Sequence, residues 1–471
     1  MGITFGTGGF RAVIGDGFTK YNIQRLSKAL CLKMKQEGVA DKGIVMGYDR
    51  RFLSKEAMHW AAMVFAAEGI RAELVRKSVP TPLVMYYVMR HGYSYGMMIT
   101  ASHNPAIYNG IKLFTYGGRD ADEEQTKDLE QYIRQLEETS VKEMEYEQGL
   151  ESGLIREIYP LNEYLDSIIG AVDMEQIRNY GFRIALDPMY GVSETSLKTI
   201  LMTARCEVET IHDRHDTLFG GKLPAPTADT LRTLQHYVLD RSCDLGIATD
   251  GDADRIGVID DRGNFLHPND ILVLLYYYLL KYRGWRGPAV RNVCTTHLLD
   301  RVAERFGEYC YEVPVGFKHI SAKMAETDAI IGGESSGGMT VRGHIKGKDG
   351  IYASALLVEM VAVVGKRLSE IMEEIREEYG TAALEERSYR FGRQKKEEIY
   401  RLLLEERRLP SLPYEVQRVS YLDGLKIYCK NGGWISVRFS GTEPLLRIFC
   451  EMPKAKEAAS FCRLFEEFLE L

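Results

Sequence analysis

The chain has 471 residues, of which 45% are hydrophobic and 27% charged, a composition typical of globular proteins. This length exceeds what one hydrophobic core supports, so roughly three or four domains are expected. The formal net charge of −7 argues against a nucleic-acid-binding protein, because phosphate backbones select clustered Lys and Arg. An anionic ligand would therefore have to be held by local basic groups.

The cysteines and the apolar runs indicate the cellular environment. The eight cysteines form no Cys-x-x-Cys pair, so neither a structural zinc site nor a redox dithiol is indicated. Several lie in apolar segments, and buried reduced thiols suit a cytoplasmic protein. The first residues lack the features of a signal peptide, and the longest apolar stretch, Ile271 to Leu280, is about half a membrane span. We therefore expect an unprocessed cytoplasmic protein that binds neither membrane nor nucleic acid. The sequence leaves open whether it is a monomer or a homodimer.

Short apolar runs alternate with longer segments of helical period, which is typical of α/β units around parallel strands. The first unit is predicted as a strand over 44–47, a helix over 54–67 and a strand over 72–75. Later strands end near Leu186, Ala248 and Val293, each before a polar turn. The carboxyl ends of such strands are where open α/β sheets bind ligands. The recurrence of this strand-to-turn plan predicts a repeated α/β unit, although no fixed period or shared residues support it.

Three polar or charged segments, over 137–152, 260–264 and 385–398, are candidate boundaries. They divide the chain into four predicted domains, over 1–152, 153–262, 263–385 and 386–471. The last is the shortest and is predicted as α+β, with strands over 424–428 and 434–439 and a closing helix from Lys454.

Ser102 lies where an apolar strand must end, in the run Thr100-Ala101-Ser102-His103-Asn104-Pro105. The Asn-Pro pair disfavours helix, so Ser102 and His103 are predicted in an exposed loop, a common location of catalytic groups. Turn chemistry alone could also explain these residue types. Lys112, ten residues further on, could neutralise phosphate charge or move a proton.

Three carboxylates occupy every second position in Asp250-Gly251-Asp252-Ala253-Asp254-Arg255. In an extended loop, a period of two places them on one side, where they repel each other unless a cation lies among them. An all-oxygen site favours Mg²⁺ over zinc. An EF-hand is excluded because Arg255 stands where that loop needs Gly, and the apolar strand over 256–259 interrupts the ligands. A solvated acidic turn remains the alternative.

The run from Arg438 to Arg447 joins two apolar segments through Ser440, Gly441 and Thr442. Small residues let backbone amides approach an anion, and guanidinium groups match phosphate geometry. This run is therefore a candidate phosphate site, although Ser-Gly-Thr also forms ordinary turns.

The run from Gly333 to Gly338 follows an apolar segment, and its Glu334 and Ser336 could bind the hydroxyls of a polyol. His344, Lys346, Lys348 and Asp349 form a polar cluster beyond it, and Lys318 and His319 add further cationic candidates. Each group could equally belong to a solvated loop.

Four of these motifs, in this order, resemble those of the α-D-phosphohexomutase superfamily, the phosphoglucomutases and phosphomannomutases. They are Thr-Ala-Ser-His-Asn-Pro, Asp-Gly-Asp-Ala-Asp-Arg, Gly-Glu-x-Ser-Gly and Ser-Gly-Thr-Glu-Pro. The resemblance covers the chain from Phe5 to Arg447. It implies an α/β fold of four domains around a central cleft, with three related α/β units with mixed sheets and a smaller C-terminal α+β domain.

The resemblance also implies residue roles. Ser102 matches the phosphorylated serine, and Asp250, Asp252 and Asp254 match Mg²⁺ ligands completed by a phosphoserine oxygen. Positions that line the phosphoryl-transfer centre are matched by Arg11, His103, Lys112 and Arg255. Contacts to the sugar are matched by Glu334 and Ser336, with Lys318 and His344 as further substrate-binding candidates. The distal phosphate site is matched by Arg438, Ser440, Gly441, Thr442 and Arg447.

Two departures from the family pattern qualify these roles. Many bacterial relatives have His in the sugar loop where this chain has Gly338, and His344 resembles the alternative arrangement of the phosphoglucomutase branches. Gly8 and Gly9 stand where many members have Ser-Gly or Asp-Gly.

The resemblance predicts a phosphoglucomutase that interconverts glucose 1- and 6-phosphates through a hexose 1,6-bisphosphate, with phosphomannomutase activity. Lys112 is the first choice of general base and His103 the second. Phosphoglucosamine mutase is the alternative, although that branch usually has Ser and Gln at the positions of Thr100 and Ser335. A catalytically silent sugar-phosphate-binding protein would not need the transfer residues.

Overall fold

The computed structural model describes residues 3–6, 8–137, 141–439 and 445–471. The chain divides into two compact units, the first with Met1–Ile271 and Ser336–Ser369 and the second with Leu272–Ser335 and Glu370–Leu471. No helix among the described residues has the length and apolar character needed to cross a bilayer. All eight cysteines are free and buried, as predicted.

The strands are numbered in chain order. They are β1 (Phe5–Gly6), β2 (Gly9–Val13), β3 (Ile44–Tyr48), β4 (Ala72–Val75), β5 (Tyr95–Ile99), β6 (Tyr108–Thr115), β7 (Arg119–Asp120), β8 (Ile155–Ile158), β9 (Arg183–Asp187), β10 (Glu207–Thr210), β11 (Leu245–Thr249), β12 (Ile256–Ile259), β13 (Phe265–Leu266), β14 (Ala289–Asn292), β15 (Cys310–Val313), β16 (Ile331–Gly333), β17 (Met339–Val341), β18 (Ala383–Arg390), β19 (Val416–Ser420), β20 (Leu425–Cys429), β21 (Trp434–Phe439) and β22 (Leu445–Met452).

The α-helices are numbered in the same way. They are α1 (Lys20–Gln36), α2 (Ser54–Ala67), α3 (Thr81–His91), α4 (Glu123–Gln135), α5 (Tyr146–Glu151), α6 (Leu161–Ile169), α7 (Met174–Tyr180), α8 (Glu194–Thr203), α9 (Arg232–Asp240), α10 (Pro268–Lys281), α11 (Leu298–Arg305), α12 (Phe317–Thr327), α13 (Gly350–Val364), α14 (Leu368–Tyr379), α15 (Arg393–Tyr400) and α16 (Ala455–Leu469).

The predicted elements agree closely with these bounds. Helix α2 and strands β4, β12 and β21 begin and end where predicted, β3 ends one residue later than predicted, and β20 begins and ends one residue later. Helix α16 begins one residue after Lys454. The boundaries of the four predicted domains stay a prediction.

One strand arrangement occurs three times, which confirms the repeated α/β unit. Strand β3 lies between β4 and β5, β9 between β10 and β11, and β14 between β15 and β16, with every pairing parallel. Antiparallel strands extend the first two sheets, through β6 after β5 and β12 after β11. These mixed sheets place the loops after β5 and β11 at the carboxyl ends of parallel strands, where ligand-binding residues are expected.

The C-terminal part of the second unit has a different architecture. Its strands form an antiparallel sheet in the order β18-β22-β21-β20-β19. Helix α16 packs on this sheet through Phe461 and Phe465, which are fully buried with Ile435 and Ile448 in one apolar cluster. This is the predicted α+β domain.

An ion-pair cluster around the buried side chains of Arg291 and Lys426 connects β15 to the C-terminal sheet within the second unit. Glu312 of β15 accepts hydrogen bonds at Oε2 from Arg291 Nη1 (2.6 Å) and from Lys426 Nζ of β20 (2.7 Å). Arg291 also forms a bidentate ion pair with Asp300, and Lys426 Nζ lies 4.2 Å from the Trp434 ring centroid. Burial alone would raise the pKa of Glu312, but His297, Arg291 and Lys426 together hold it well below its usual range.

Candidate active site

Ser102 lies in the loop after β5, with its backbone in the left-handed region at φ 53°. The prediction of an exposed loop is wrong for this residue, since Ser102 is fully buried. The reason is that the side chains of two other segments cover the loop. Asp250 Oδ2 accepts a hydrogen bond from Ser102 Oγ at 2.9 Å, and Arg51 donates to the Ser102 carbonyl oxygen at 2.6 Å.

His103 is the titratable side chain beside this hydroxyl. Its Nδ1 lies 3.4 Å from Ser102 Oγ. Burial, followed by the charges of Arg255 and Arg11, holds the pKa of His103 well below its usual range. The imidazole is therefore neutral at pH 7, and the same burial and positive charge oppose its protonation.

The turn between β11 and β12 brings the three predicted metal ligands together. Asp250, Asp252 and Asp254 are all buried, and each offers a carboxylate oxygen within 4.8 Å of the others. The predicted extended conformation is wrong, because Ala253 has φ 61° and Asp250 Oδ1 accepts the amide hydrogens of Asp254 (3.0 Å) and Arg255 (3.1 Å). The carboxylates converge because the chain turns around Asp250.

This carboxylate cluster fits a hard divalent cation. Asp252 Oδ1 and Asp254 Oδ1 are buried and accept no hydrogen bond within the described chain. Burial and the two neighbouring carboxylates raise the pKa of Asp250 well above its usual range, so an ionised Asp250 would be stabilised by a further cation. An all-oxygen set of buried carboxylates with unpartnered oxygens is suited to Mg²⁺.

Two lysines neutralise part of this charge. Lys112 Nζ, on β6, donates to Asp252 Oδ2 and Asp254 Oδ2, both at 2.6 Å. Although burial alone would lower it, these carboxylates raise the pKa of Lys112 above its usual value, so the side chain is an ammonium ion. Lys348 Nζ lies 2.9 Å from Asp254 Oδ2. The sequence indicated Lys348 only as part of a polar cluster. Its position directly before Asp349, the N-cap of α13, is the feature that could have indicated a defined place in the site.

Two arginines near Ser102 have side-chain donors that make no hydrogen bond within the described chain. Arg11 Nη1 donates to Asn104 Oδ1 at 2.7 Å, and Arg255 Nε is 3.9 Å from Asp250 Oδ2. The Nε atoms of both arginines are buried and have no hydrogen-bond partner among the described residues. Burial, and then the charge of Arg255, lowers the pKa of Arg11. These unpartnered donors could bind an anionic group near Ser102.

His344 is fixed by a buried carboxylate in the first unit. Its Nε2 is 2.6 Å from Asp349 Oδ2, and Asp349 also accepts from Tyr164 Oη and from the first amides of α13. Ser336, another predicted sugar contact, is exposed in this unit. His344 is therefore held by Asp349, and the side chain of Ser336 is exposed to solvent.

The remaining predicted substrate residues lie in the second unit. Glu334 Oε1 accepts from the Gly316 amide (3.2 Å) and from Asn292 Nδ2 (3.3 Å), which ties the ends of β14 and β16 to the start of α12, where Lys318 lies. The structure thus brings Glu334 to the N-terminus of α12, the helix that carries Lys318.

The two arginines of the candidate phosphate run form a cross-strand pair on β21 and β22. Arg438 Nε lies 3.3 Å from Asp423 Oδ2, and the same oxygen accepts the Val315 amide at 2.9 Å. Arg447 Nη1 lies 3.6 Å from Glu386 Oε1. Ser440, Gly441 and Thr442 lie outside the described residues.

Sequence reasoning missed three residues that hold the site. Arg51 and Asp49 contact the Ser102 loop, and Thr81 donates through Oγ1 to Asp252 Oδ2 at 2.6 Å. The polar turn after β3 and the Pro-Thr-Pro start of α3 marked these residues as candidates in the sequence. The groups that they contact lie far away in the sequence, so their roles could not be predicted from it.

The family models for four phosphoglucomutase/phosphomannomutase domains match the chain in order. Alpha/beta/alpha domains I, II and III match residues 2–140, 162–263 and 267–379, and the C-terminal domain matches residues 399–468.

Three similar proteins extend over nearly the whole chain. A phosphoglucomutase/phosphomannomutase of Thermococcus kodakarensis is 28% identical, with coverage of 100% of this chain and 99% of the relative. A Methanopyrus kandleri protein assigned as a phosphoglucosamine mutase is 30% identical, with coverage of 100% and 98%. The crystal structure of a Thermus thermophilus protein assigned as a phosphomannomutase superposes with a TM-score of 0.87 at 30% identity, covering 100% of both chains.

Four ordered domain matches and full-length relatives agree with the motif order, the three repeated sheets and the antiparallel C-terminal sheet. The chain therefore belongs to the phosphoglucomutase/phosphomannomutase family, whose members are phosphohexomutase enzymes.

Proposed function

We propose that this chain is a phosphoglucomutase that interconverts glucose 1-phosphate and glucose 6-phosphate and also acts on mannose phosphates. The observation that carries the proposal is the position of Ser102 Oγ, 2.9 Å from Asp250 Oδ2 beside three converging carboxylates. Phosphoryl transfer depends mainly on positioning and charge stabilisation, and this cluster would supply the second by holding Mg²⁺ beside the serine oxygen.

In the proposed reaction, phosphoserine 102 donates its phosphoryl group to a free hydroxyl of a hexose monophosphate. The bond between phosphorus and Ser102 Oγ breaks as a bond to the sugar oxygen forms, the hydroxyl proton passes to a base, and the serine oxygen regains a proton. When bound by Asp250, Asp252, Asp254 and a phosphoserine oxygen, Mg²⁺ supplies compensation for the negative charge of the transferring group. The unpartnered Nε donors of Arg11 and Arg255 support binding of that group.

The geometry supports His103 over Lys112 as the general base. Lys112 is held as an ammonium ion by two carboxylates, whereas His103 is neutral and has Nδ1 3.4 Å from Ser102 Oγ. This reverses the order expected from the sequence. We assign Lys112 instead to the charge balance of the carboxylate cluster.

The product of the first transfer is a hexose 1,6-bisphosphate. Its other phosphate must then return to Ser102, so the sugar has to be bound in two orientations. We assign the non-reacting phosphate to Arg438, Ser440, Gly441, Thr442 and Arg447, and the sugar hydroxyls to Glu334 and Ser336. Lys318 and His344 complete the proposed substrate contacts.

Phosphoglucosamine mutase is the second candidate, favoured by the assignment of the Methanopyrus kandleri relative. Thr100 and Ser335 favour the glucose enzyme, because they stand where the glucosamine branch usually has Ser and Gln. A silent binding protein is disfavoured because it would not need the buried serine or the three carboxylates.

The proposal is tested by coupled assays with glucose, mannose and glucosamine 1-phosphates in the presence of Mg²⁺ and hexose 1,6-bisphosphate. We expect the highest kcat/KM for glucose 1-phosphate, and a faster glucosamine reaction would select the second candidate. Intact mass should reveal a species heavier by one phosphate. Ser102→Ala should abolish both that species and turnover, whereas the control Ser411→Ala should retain both. Full turnover by Ser102→Ala would refute the phosphoserine mechanism.

A further inference from the structure

Ser102 has a backbone conformation that its own sequence does not favour. Its φ of 53° lies in the left-handed region, which few non-glycine residues adopt. Such a conformation persists only where the surroundings impose it. The contacts that impose it at Ser102 identify residues that position the serine.

Arg51 makes the largest set of these contacts. Its Nη2 donates to the carbonyl oxygens of Ser102 and Asn104, both at 2.6 Å. Its Nη1 donates to the carbonyl oxygens of Pro105 and Tyr108, both at 3.0 Å. One guanidinium thus binds four carbonyls over seven residues, which fixes the curvature of the whole loop.

Asp49 completes this arrangement from the other side. Its Oδ2 accepts from Thr100 Oγ1 at 2.6 Å, and Thr100 Oγ1 accepts the Ser102 amide at 2.8 Å. The same carboxylate lies 3.4 Å from Arg51 Nε and accepts the Arg51 amide through Oδ1 at 2.9 Å. The ion pair therefore holds the carbonyl of Ser102 directly, through Arg51, and its amide through the hydroxyl of Thr100.

This ion pair is buried. The side chains of Arg51 and Asp49 are both 0% exposed. The Arg51 guanidinium also lies 4.8 Å from the ring centroid of Phe219, which supports its plane. Because a planar guanidinium presents its donors in a fixed fork, a lysine at this position could not bind the same four carbonyls.

We propose that Arg51, together with Asp49 and Thr100, is a positioning residue that sets the place of Ser102 Oγ for phosphoryl transfer. The inference rests on the proposed function, in which Ser102 carries the phosphoryl group. Arg51 acts through the main chain of the loop, so its loss should reduce the rate of transfer more than the binding of the sugar phosphate. Misplacement of a reacting atom by about 1 Å lowers rates on the order of 100-fold.

The first test compares Arg51→Lys with Arg50→Lys. Arg50 is the matched control, because it donates to a single carbonyl, that of Asp213, outside the Ser102 loop. We expect Arg51→Lys to lower kcat about 100-fold with KM for glucose 1-phosphate nearly unchanged, and Arg50→Lys to match the wild type. An unchanged kcat, or a rise in KM alone, would overturn the proposal.

Thr100→Val provides a second variant that tests the proposal even if Arg51→Lys fails to fold. It keeps the shape of Thr100 but removes the oxygen that accepts the Ser102 amide. We expect kcat to fall while KM is kept, and Thr100→Ser, which restores the hydroxyl, to recover most of the lost rate. Equal rates for Thr100→Val and Thr100→Ser would contradict the positioning role.

Amide hydrogen exchange separates this proposal from the proposed function. In Arg51→Lys, exchange in the peptide that contains residues 100–108 should accelerate at least about tenfold, with other peptides unchanged. This result is independent of turnover. A wild-type protein without mutase activity would refute the proposed function alone, whereas unchanged exchange in this peptide would refute the positioning role.

Discussion

The side chain of Lys348 packs directly against the Cα atom of Gly338. A Cβ on Gly338 would lie 2.2 Å from Cδ of Lys348, so the lysine stem occupies the volume that a side chain at position 338 would need. From there Lys348 Nζ reaches Asp254 Oδ2 at 2.9 Å. The absence of a side chain at position 338 therefore permits a cationic contact to the carboxylate cluster.

Gly338→Ala should move Lys348 away from Asp254. Because the clash is with a flexible side chain, we expect a small loss of stability but a fall in kcat/KM of at least about tenfold, from one weakened charge contact. Steady-state kinetics and chemical denaturation measure the two effects. Gly392→Ala is the control, since a Cβ at Gly392 meets nothing within 4 Å. Wild-type kinetics in Gly338→Ala would show that the contact of Lys348 is dispensable.

Asp252→Asn should weaken the binding of Mg²⁺. The substitution replaces one of three buried carboxyl groups by a neutral amide, so we expect the dissociation constant to rise at least about tenfold, measured by titration calorimetry on unphosphorylated protein. Asp229→Asn, at a side chain that is 85% exposed, is the control. Equal affinities in the two variants would remove Asp252 from the metal site.

Lys112→Met should make the protein depend more strongly on Mg²⁺ for stability. The variant leaves Asp252 and Asp254 without their shared ammonium partner, which is strongly destabilising for buried charges. We expect a lower Tm without metal and a larger rise in Tm on addition of Mg²⁺ than in the wild type. Thermal unfolding at increasing concentrations of Mg²⁺ measures this, with Lys127→Met as the exposed control. A smaller Mg²⁺ effect than in the wild type would contradict the assigned role.

Glu312 should contribute stability that acid removes. Its pKa is lower in the folded protein than in the unfolded chain, so the folded state binds fewer protons. The contribution is complete above the unfolded pKa of about 4.5 and is lost progressively as the pH falls below that value. We expect Glu312→Gln to be less stable by about 3–5 kcal/mol at pH 7, as when one partner of a buried ion pair is removed.

Denaturation between pH 7 and pH 3 measures this dependence. The difference between wild type and Glu312→Gln should narrow below about pH 4.5, whereas Glu415→Gln, at a side chain that is 71% exposed, should differ little from the wild type at any pH. A difference that stays constant down to pH 3 would mean that the ionisation of Glu312 is not coupled to folding.

The sequence predicted the local elements and the motifs well, because both depend on short patterns. Strand β12 and helix α2 were recognised from apolar runs and helical period, and the three aspartates from their spacing. The family resemblance then supplied the roles of Ser102 and Lys112, which residue patterns alone left open.

What the sequence did not predict depends on contacts between distant segments. The left-handed turn at Ala253 and the burial of Ser102 were both missed, since period-two spacing and an Asn-Pro pair favour an extended and an exposed chain. Arg51 was missed because its significance arises only when four loop carbonyls surround it.

The left-handed backbone of Ser102 limits which hydroxyl amino acid can serve there. Threonine also carries an aliphatic hydroxyl, but its branched Cβ makes this region of backbone space a genuine outlier. Tyrosine would need room that a fully buried position does not offer. Threonine, a secondary alcohol, and tyrosine, a phenol, therefore do not fit at this position. The presence of serine follows from the backbone conformation of the loop as much as from the reactivity of its oxygen.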